Sequence, residues 1–310
     1  MKKLHKIILV GSGAVGSSFA FSLLQNVTST ELIVVDINKE RTQGDVLDLQ
    51  DLIPLSDGAN IVRAGSYDDA VDADIAVITA GVPRQPGETR LDLFKRNASI
   101  LKSIVIPIVN SGFKGCFVVS SNPVDVLTTI TQQLSGFPKE RVIGTGTSLD
   151  SARLSVELGL KLNVPVDKIK NAYVLGEHGD SLFATFAETT VLGKKLSKIA
   201  ALDDESLHEL EESVKNRGSR IISLKGATHY GVAVCLMKIC KAILTDEEII
   251  LPVSAPLTGE YEQNNIYLGT PAVIGAGGLK RIIELPLVPT EYAKMKLSAE
   301  KMKKILVSLE

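Results

Sequence analysis

The sequence predicts an α/β protein, in which an N-terminal doubly wound parallel sheet is followed by an α+β region. Short runs rich in Val and Ile alternate with longer amphipathic segments through roughly the first 145 residues, as expected for parallel strands joined by crossovers. Beyond Asp150 the pattern changes to long helical segments with fewer apolar runs. We therefore expect two domains, residues 1–149 and residues 150–310. The six predicted strands of the first domain are KIILVG, ELIVVD, NIVRA, DIAVITA, CFVVSS and RVIGTG.

The second domain is predicted to contain helices at TSLDSARLSVELGLKL, SLHELEESVKNRGSRIISLKG and THYGVAVCLMKICKAIL. KIKNAYVLG is predicted as one strand, and shorter apolar runs follow in EIILPVSAPL and IYLGTPAVI. A charged helix is expected to begin near Pro289. No repeat or low-complexity tract interrupts this order.

Composition excludes several classes of function. The chain has 34 Lys and Arg against 36 Asp and Glu, a formal net charge of −2, and no basic patch, so no nucleic-acid partner is expected. Its apolar stretches fall short of the roughly 18 to 20 residues that span a bilayer. The charged and then apolar start, MKKLHKIILVGSG, is interpreted as the first strand and not as a targeting segment, because it leads directly into a glycine pattern.

Cysteine usage points to a reducing compartment. The three cysteines are odd in number and lack CxxC spacing, which argues against a disulfide framework and against a zinc site. We therefore expect a cytoplasmic protein without a metal centre.

The first predicted strand runs into the segment Gly11-Ser12-Gly13-Ala14-Val15-Gly16, a G-x-G-x-x-G turn. Glycine is needed because the turn is tight and the backbone must approach a pyrophosphate, which the free N–H groups of the following helix then bind. Asp36 ends the next strand about 20 residues later, where its carboxylate can accept both ribose hydroxyls of NAD. The same carboxylate would repel the 2′-phosphate of NADP, and Ile37 offers no compensating cation. A Rossmann domain that binds NAD is predicted.

A second group of residues has the chemistry of proton transfer and carboxylate binding. His178, in VLGEHGDS, follows a predicted strand, and histidine exchanges protons near neutral pH. TSLDSAR places Asp150 and Arg153 on one face of a helix, where the acid can hold an imidazole and the guanidinium can bind a carboxylate. SSNPVD supplies Asn122, an amide that can orient a substrate oxygen. A structural histidine and a surface salt bridge are the alternative interpretations.

These residues resemble the L-lactate/L-malate dehydrogenase family. The glycine turn with Asp36, GETRLDL, SNPVD, TSLDSAR, GEHGDS and KGAT occur in the order and approximate spacing of that family, over nearly the whole chain. The forms GETR, GEHGDS and KGAT are closest to the bacterial lactate branch. The resemblance implies reversible hydride transfer between NADH and a small 2-oxo acid, with the cofactor supplying the hydride chemistry.

The resemblance also implies a role for each matching residue. His178 would exchange the proton of the substrate oxygen, Asp150 would fix the imidazole tautomer, and Arg153 would bind the substrate carboxylate. Arg90 would polarise the carbonyl after loop closure, Asn122 would hold the reacting oxygen, and Thr228 would line the pocket. The implied cofactor-binding residues are Gly11, Gly13, Val15, Gly16, Asp36, Ala80, Gly81 and Asn122. Family members form dimers or tetramers, and the lactate branch implies a homotetramer.

One position departs from the lactate pattern. Six residues before Arg90, lactate enzymes of the family typically carry Gln and malate enzymes carry Arg, and this chain has Arg84. A guanidinium facing the methyl group of pyruvate would have no partner, whereas oxaloacetate brings a second carboxylate. Against this, Thr228 narrows the space that malate enzymes leave open, and Gln85 takes the place of the glutamine if the loop register slips by one. L-Lactate dehydrogenase is therefore the predicted activity, with L-malate dehydrogenase as the alternative.

A second departure concerns regulation. The resemblance implies that allosteric bacterial members bind fructose 1,6-bisphosphate through an Arg and a His at the positions of Ser155 and Asn171 here. Because phosphate groups need cations, we expect no activation by the sugar bisphosphate.

Two other classes of protein are alternatives to the dehydrogenase family. A short-chain reductase would use Tyr-x-x-x-Lys, and Tyr292 and Lys296 have that spacing, but they lie near the C-terminus in a predicted amphipathic helix. A non-catalytic NAD-binding protein would have no reason to keep the reactive residues together. These residues are Arg90, Asn122, Asp150, Arg153 and His178.

Overall fold

The computed structural model describes residues 4–83, 87–199 and 202–308, except for the side chain of Arg90. The first half of the chain forms a parallel sheet in the strand order β3-β2-β1-β4-β5-β6, which is the doubly wound order. This confirms the predicted fold class and all six predicted strands. The strands are β1 (His5–Val10), β2 (Thr30–Val35), β3 (Ile61–Ala64), β4 (Ile75–Ile78), β5 (Cys116–Val119) and β6 (Val142–Gly144).

Helices cover both faces of this sheet, so its strands are apolar on both sides. In β1, Ile7 and Leu9 pack with one core cluster, and Ile8 and Val10 pack with the other. The connection from β3 to β4 contains only a 3₁₀ helix, Tyr67–Asp72. The α-helices of this half are α1 (Ala14–Asn26), α2 (Lys39–Leu52), α3 (Arg90–Asn110) and α4 (Val124–Ser135).

The second half begins with α5 (Ser148–Leu162), and the segment after it differs from the prediction. KIKNAYVLG was expected to form one strand, but it forms β7 (Ile169–Lys170) and β8 (Tyr173–Leu175). The reason is Asn171, whose φ of 56° is left-handed and breaks the extended backbone. β8 pairs with β9 (Phe183–Thr185), while β7 joins β10 (Thr190–Val191) and β11 (Lys194–Lys195) in a separate small sheet.

Two long helices follow, α6 (Asp204–Lys225) and α7 (Tyr230–Thr245), and α7 packs against α1 through the core cluster that includes Phe19 and Leu236. Three antiparallel strands then extend the parallel sheet, because β12 pairs with β6. These strands are β12 (Ile249–Thr258), β13 (Asn264–Gly275) and β14 (Gly278–Ile282). The last helix, α8 (Pro289–Val307), begins where the sequence predicts it.

Within the described ranges, no helix is both long enough and apolar enough to cross a membrane.

Candidate active site

A cavity of about 100 Å³ lies at the carboxyl ends of the parallel strands. Ligands of open α/β sheets bind at this edge. The cavity is built by residues from distant parts of the chain, and five of them are predicted site residues. Its lining consists of Val15, Ser120, Asn122, Thr145, Gly146, Leu149, Arg153, His178, Thr228 and Val232.

His178 and Asp150 form a hydrogen-bonded pair beside the cavity. The Nδ1–H of His178 donates to Asp150 Oδ2 across 2.5 Å, which leaves Nε2 available to a substrate. The Asp150 side chain is only 2% exposed, whereas that of His178 is 26% exposed. The carboxylate of Asp150 raises the pKa of His178 well above its ordinary 6.5. The imidazole can therefore carry a proton at neutral pH.

Arg153 completes a chain of charges on α5. Asp150 and Arg153 are separated by three positions, so they share one side of the helix, and Arg153 Nη1 donates to Asp150 Oδ1 across 3.1 Å. Although burial by itself would raise it, the pKa of Asp150 is held below its usual value by His178 and Arg153. The ionised acid thus orients both cationic groups. Arg153 also lines the cavity, where its remaining N–H groups can meet a carboxylate.

The glycine turn has the close approaches that its pattern predicts. Gly11 has a φ of 104°, and a Cβ on Gly16 would lie 1.9 Å from the carbonyl oxygen of Gly11. Any larger residue at Gly16 would push α1 away from the turn. Asp36 fixes the turn, because its Oδ2 accepts the N–H of Ser12 at 2.7 Å.

Three observations fit a dinucleotide bound at this turn. Helix α1 begins without a side-chain cap, so its first N–H groups are available to a phosphate. A Cβ on Gly13 would meet nothing within 4 Å, which leaves open space above the turn. The buried hydroxyl oxygens of Ser12 and Ser120 have no hydrogen-bond partner among the described residues. The site therefore offers a dinucleotide open space above the turn, the free N–H groups of a helix N-terminus and two hydroxyl groups.

The remaining predicted cofactor residues lie beside the turn. Ala80 and Gly81 follow β4, and the carbonyl of Ala80 accepts the Ser121 hydroxyl at 2.6 Å. Asn122 follows β5, and its main-chain carbonyl accepts from Asn97 Nδ2 at 3.0 Å. Ile37, next to Asp36, is 96% exposed and offers no positive charge.

The two loop arginines are only partly described. Arg84 and Gln85 lie outside the described residues, so their predicted roles stay predictions. Arg90 is the first residue of α3, which is started by a capping box between Thr89 and Asp92, while the Arg90 side chain lies outside the description.

Two carboxylates that the sequence analysis does not single out hold the segment around His178. Asp125, on α4, accepts the main-chain N–H of His178 at 2.7 Å. Glu177 accepts from Lys301 Nζ of α8 at 2.8 Å, and its main-chain N–H donates to Ser298 Oγ at 2.7 Å. Asp125 lies in the motif SSNPVD and Glu177 in GEHGDS, and this position within a motif was the only sign in the sequence that either acid belongs to the site.

A group of potential metal ligands lies elsewhere, on α6. His208, Glu211 and Glu212 have ligand atoms close together. Glu211 already accepts from Lys215, Lys294 and the N–H of Ala184, so ion pairing accounts for its position. The Tyr-x-x-x-Lys spacing that a short-chain reductase would use also lies outside the cavity, because Tyr292 packs against the core from α8.

A doubly wound sheet with a glycine turn and a histidine–carboxylate pair at its carboxyl edge is typical of nicotinamide-dependent dehydrogenases. Comparison with known families gives two adjoining matches: the lactate/malate dehydrogenase NAD-binding domain matches residues 5–144, and the lactate/malate dehydrogenase α/β C-terminal domain matches residues 147–309. The chain belongs to the lactate/malate dehydrogenase family, and NAD is its cofactor.

Several proteins named L-lactate dehydrogenase resemble the chain over nearly its full length. It is 56% identical over 306 residues to an L-lactate dehydrogenase of Lactobacillus delbrueckii subsp. bulgaricus, which covers 98% of this chain and 99% of that protein. It is also 56% identical over 301 residues to L-lactate dehydrogenase 2 of Lactiplantibacillus plantarum, with 97% of each covered. Among solved structures, the minor L-lactate dehydrogenase of Enterococcus mundtii in its ligand-bound form has a TM-score of 0.95 at 42% identity, covering 99% of this chain and 98% of that one.

Proposed function

We propose that this chain is an NAD-dependent L-lactate dehydrogenase, which reduces pyruvate with NADH and catalyses the reverse reaction. The observation that carries this proposal is that Asp150 hydrogen-bonds both His178 and Arg153, and that these two residues line one cavity beside the glycine turn. The relatives that are 56% identical support lactate over the malate alternative.

The substrate carboxylate is bound by Arg153, whose position is fixed by Asp150. A planar guanidinium can bind a carboxylate through two parallel hydrogen bonds, which sets the orientation of a small 2-oxo acid. Leu149 and Val232 contribute apolar surface to the cavity, and Thr228 lies between α6 and α7 at its wall. This lining suits the methyl group of pyruvate.

The proton comes from His178. With Nδ1–H directed to Asp150, Nε2 of the imidazolium gives its proton to the carbonyl oxygen during reduction and takes the hydroxyl proton in the reverse direction. Asp150 stays ionised and stabilises the imidazolium without accepting that proton itself. The amide of Asn122 would hold the reacting oxygen, and Arg90, whose side chain lies outside the described residues, would polarise the carbonyl.

NAD would be held by the glycine turn, by Asp36 at its ribose and by Ala80, Gly81 and Asn122 beside it. Bound NADH supplies the hydride that reduces C2 of the 2-oxo acid.

We also propose a cytoplasmic homotetramer. Cys116, Cys235 and Cys240 carry free thiols, which fits a reducing compartment. A groove of about 730 Å³ between α1, α2 and α7 is lined by apolar side chains that are exposed in the single chain, including Phe21, Leu55 and Tyr230. Exposed apolar surface of this kind supports association between copies.

Steady-state kinetics with NADH test the activity. We expect kcat/KM for pyruvate to exceed kcat/KM for oxaloacetate, and we expect His178→Ala to lower kcat for pyruvate by about 10² to 10⁴-fold, since it removes the proton donor. NADH binding to His178→Ala, followed by fluorescence, should stay near that of the parent. A parent enzyme that prefers oxaloacetate, or a His178→Ala variant with full activity, would contradict the proposal.

A further inference from the structure

Asp125 is a buried acid that has no role in the proposed hydride and proton transfers. It is the second residue of α4 and is 2% exposed. Its two carboxylate oxygens accept from different partners: Oδ2 accepts the main-chain N–H of His178 at 2.7 Å, and Oδ1 accepts the hydroxyl of Ser254 at 2.6 Å. The residue therefore joins α4, the segment of His178 and β12.

A neutral asparagine could also hydrogen-bond to both partners, by accepting from the His178 N–H and donating to Ser254 Oγ, without the cost of burying a charge. Burying an ionised carboxylate is unfavourable unless a positive group is near, and burial raises the pKa of Asp125 to about 6. Among the described residues, no Lys or Arg forms an ion pair with Asp125. The first turn of α4 favours a negative charge, and the nearby Glu177 opposes it. The positive group that favours the ionised form of Asp125 is protonated His178.

The groups around His178 make this a balance of four charges. Asp150 of α5 binds the imidazole and is itself paired with Arg153, Asp125 of α4 accepts the main-chain N–H of His178, and Glu177 precedes His178 in the chain. Asp150 and Asp125 both favour the protonated imidazole, while Arg153 opposes it. Two carboxylates on opposite elements thus act on one histidine, one through the ring and one through the main chain.

We propose that Asp125 is a second positioning residue for His178, which fixes the main chain of the proton donor and contributes a negative charge that keeps its imidazole protonated. This inference rests on the proposed function for its catalytic consequence, but not for the effect on His178 itself.

Asp125→Asn separates charge from geometry. An asparagine can still accept the His178 N–H through Oδ1 and donate to Ser254 Oγ through Nδ2, while the charge is lost. Removing a negative charge lowers the pKa of an imidazole. Protonated His178 is the donor in pyruvate reduction. The alkaline decline of this activity should therefore start about 0.5 to 1 pH unit lower in Asp125→Asn than in the parent. Lactate oxidation, which needs neutral His178, should begin to rise at correspondingly lower pH.

The titration of His178 can be followed without turnover. The chain has four histidines, and the His178 resonance in an NMR titration can be assigned by its loss in His178→Gln. We expect the His178 midpoint to be lower in Asp125→Asn than in the parent, whatever the substrate of the enzyme is. Should pyruvate reduction be absent while this midpoint shifts, the proposed activity fails and the role of Asp125 stands.

Glu211→Gln is the matched control. Glu211 is also a buried carboxylate that accepts a main-chain N–H, from Ala184 at 3.1 Å, but it does not line the cavity or contact His178. Its substitution should leave the His178 midpoint unchanged. Equal His178 midpoints in Asp125→Asn and the parent, with only a lower Tm in the variant, would overturn the inference and leave Asp125 a structural residue.

Ser254→Ala provides a second variant if Asp125→Asn does not fold. The buried Ser254 hydroxyl stabilises the ionised Asp125, so its loss should raise the pKa at which Asp125 is protonated. Protonation of Asp125 should appear as a separate step at the acid end of the His178 NMR titration. In Ser254→Ala this step should occur about half a pH unit higher than in the parent. A His178 titration with no such step, or with a step that does not move, would also contradict the proposal.

Discussion

At the residue scale, Arg84 and Arg90 lie six positions apart in the sequence but carry different predictions. Arg90 belongs to the chemistry shared by the family, since it would polarise the carbonyl. Arg84 would act on substrate choice, because a second guanidinium favours a second carboxylate. The relatives favour lactate, so the cation at position 84 does not by itself decide the preferred substrate.

Arg84→Gln measures what that cation contributes. We expect kcat/KM for oxaloacetate to fall about tenfold, through loss of one charge-assisted hydrogen bond, while kcat/KM for pyruvate changes less than threefold. Lys95→Gln, which removes an exposed cation from α3, serves as the control and should change neither value. If the ratio of the two kcat/KM values is the same in Arg84→Gln and the parent, Arg84 has no part in substrate selection.

Much of the site could be predicted at this scale because its side chains have distinctive chemistry and spacing. Asp150 and Arg153 are three positions apart on one helix, so their proximity follows from helical geometry alone. Asp125 and Ser254 are 129 positions apart, and nothing local relates them. Their contact depends on the packing of α4 against β12, which no short pattern in the sequence encodes.

At the element scale, α8 supports the segment that carries His178. Lys301 of α8 pairs with Glu177, and Ser298 of the same helix accepts the main-chain N–H of Glu177. Glu177 also accepts the hydroxyl of Ser181. The segment from Gly176 to Ser181 is therefore fixed on one side by α8 and on the other by Asp125 of α4.

Lys301→Gln should loosen this support. Lys301 is partly exposed, so we expect the free energy of unfolding to fall by no more than about 1 kcal/mol, measured by urea denaturation. Because Glu177 precedes His178, the proposed proton donor, a slightly displaced imidazole should lower kcat for pyruvate about two- to fivefold. Lys304→Gln, at an exposed position of the same helix, should leave both quantities unchanged. A full kcat in Lys301→Gln would show that α8 does not influence the position of His178.

The predicted helices and strands were most accurate where the apolar pattern was long. All six parallel strands were found, since burial on both faces makes each one a continuous apolar run. The prediction of one strand at KIKNAYVLG was wrong. Its composition is typical of a strand, but Asn171 adopts a left-handed φ that composition does not reveal. The turn at Asn171 is set by the separate partners of β7 and β8.

At the scale of the whole molecule, the two halves share one sheet. Ser254 of β12 pairs with Gly144 of β6, so the antiparallel strands of the second half protect what would otherwise be an exposed edge of the parallel sheet. The division at 149/150 stays a prediction, although α5 starts at Ser148 and the two family matches adjoin at residues 144 and 147.

Regulation by fructose 1,6-bisphosphate is also tested on the assembled enzyme. Ser155 donates to the carbonyl of Ser151, and Asn171 accepts from the Tyr173 hydroxyl, so neither position offers a cation to a phosphate group. We expect the sugar bisphosphate to leave the pyruvate saturation curve and the sedimentation coefficient unchanged. A variant that combines Ser155→Arg and Asn171→His should bind it measurably by calorimetry. A left-shifted saturation curve in the parent would contradict this prediction.

The sequence by itself determined the doubly wound sheet and the dinucleotide turn with its acid, and it singled out His178 as the candidate proton donor, because each of these depends on local spacing and residue chemistry. Only the tertiary structure decided that β12 extends the sheet, that α8 supports the segment of His178, and that Asp125 reaches the main chain of His178. These contacts join residues from distant parts of the chain. They exist because packing brings them together, and packing is a property of the whole fold.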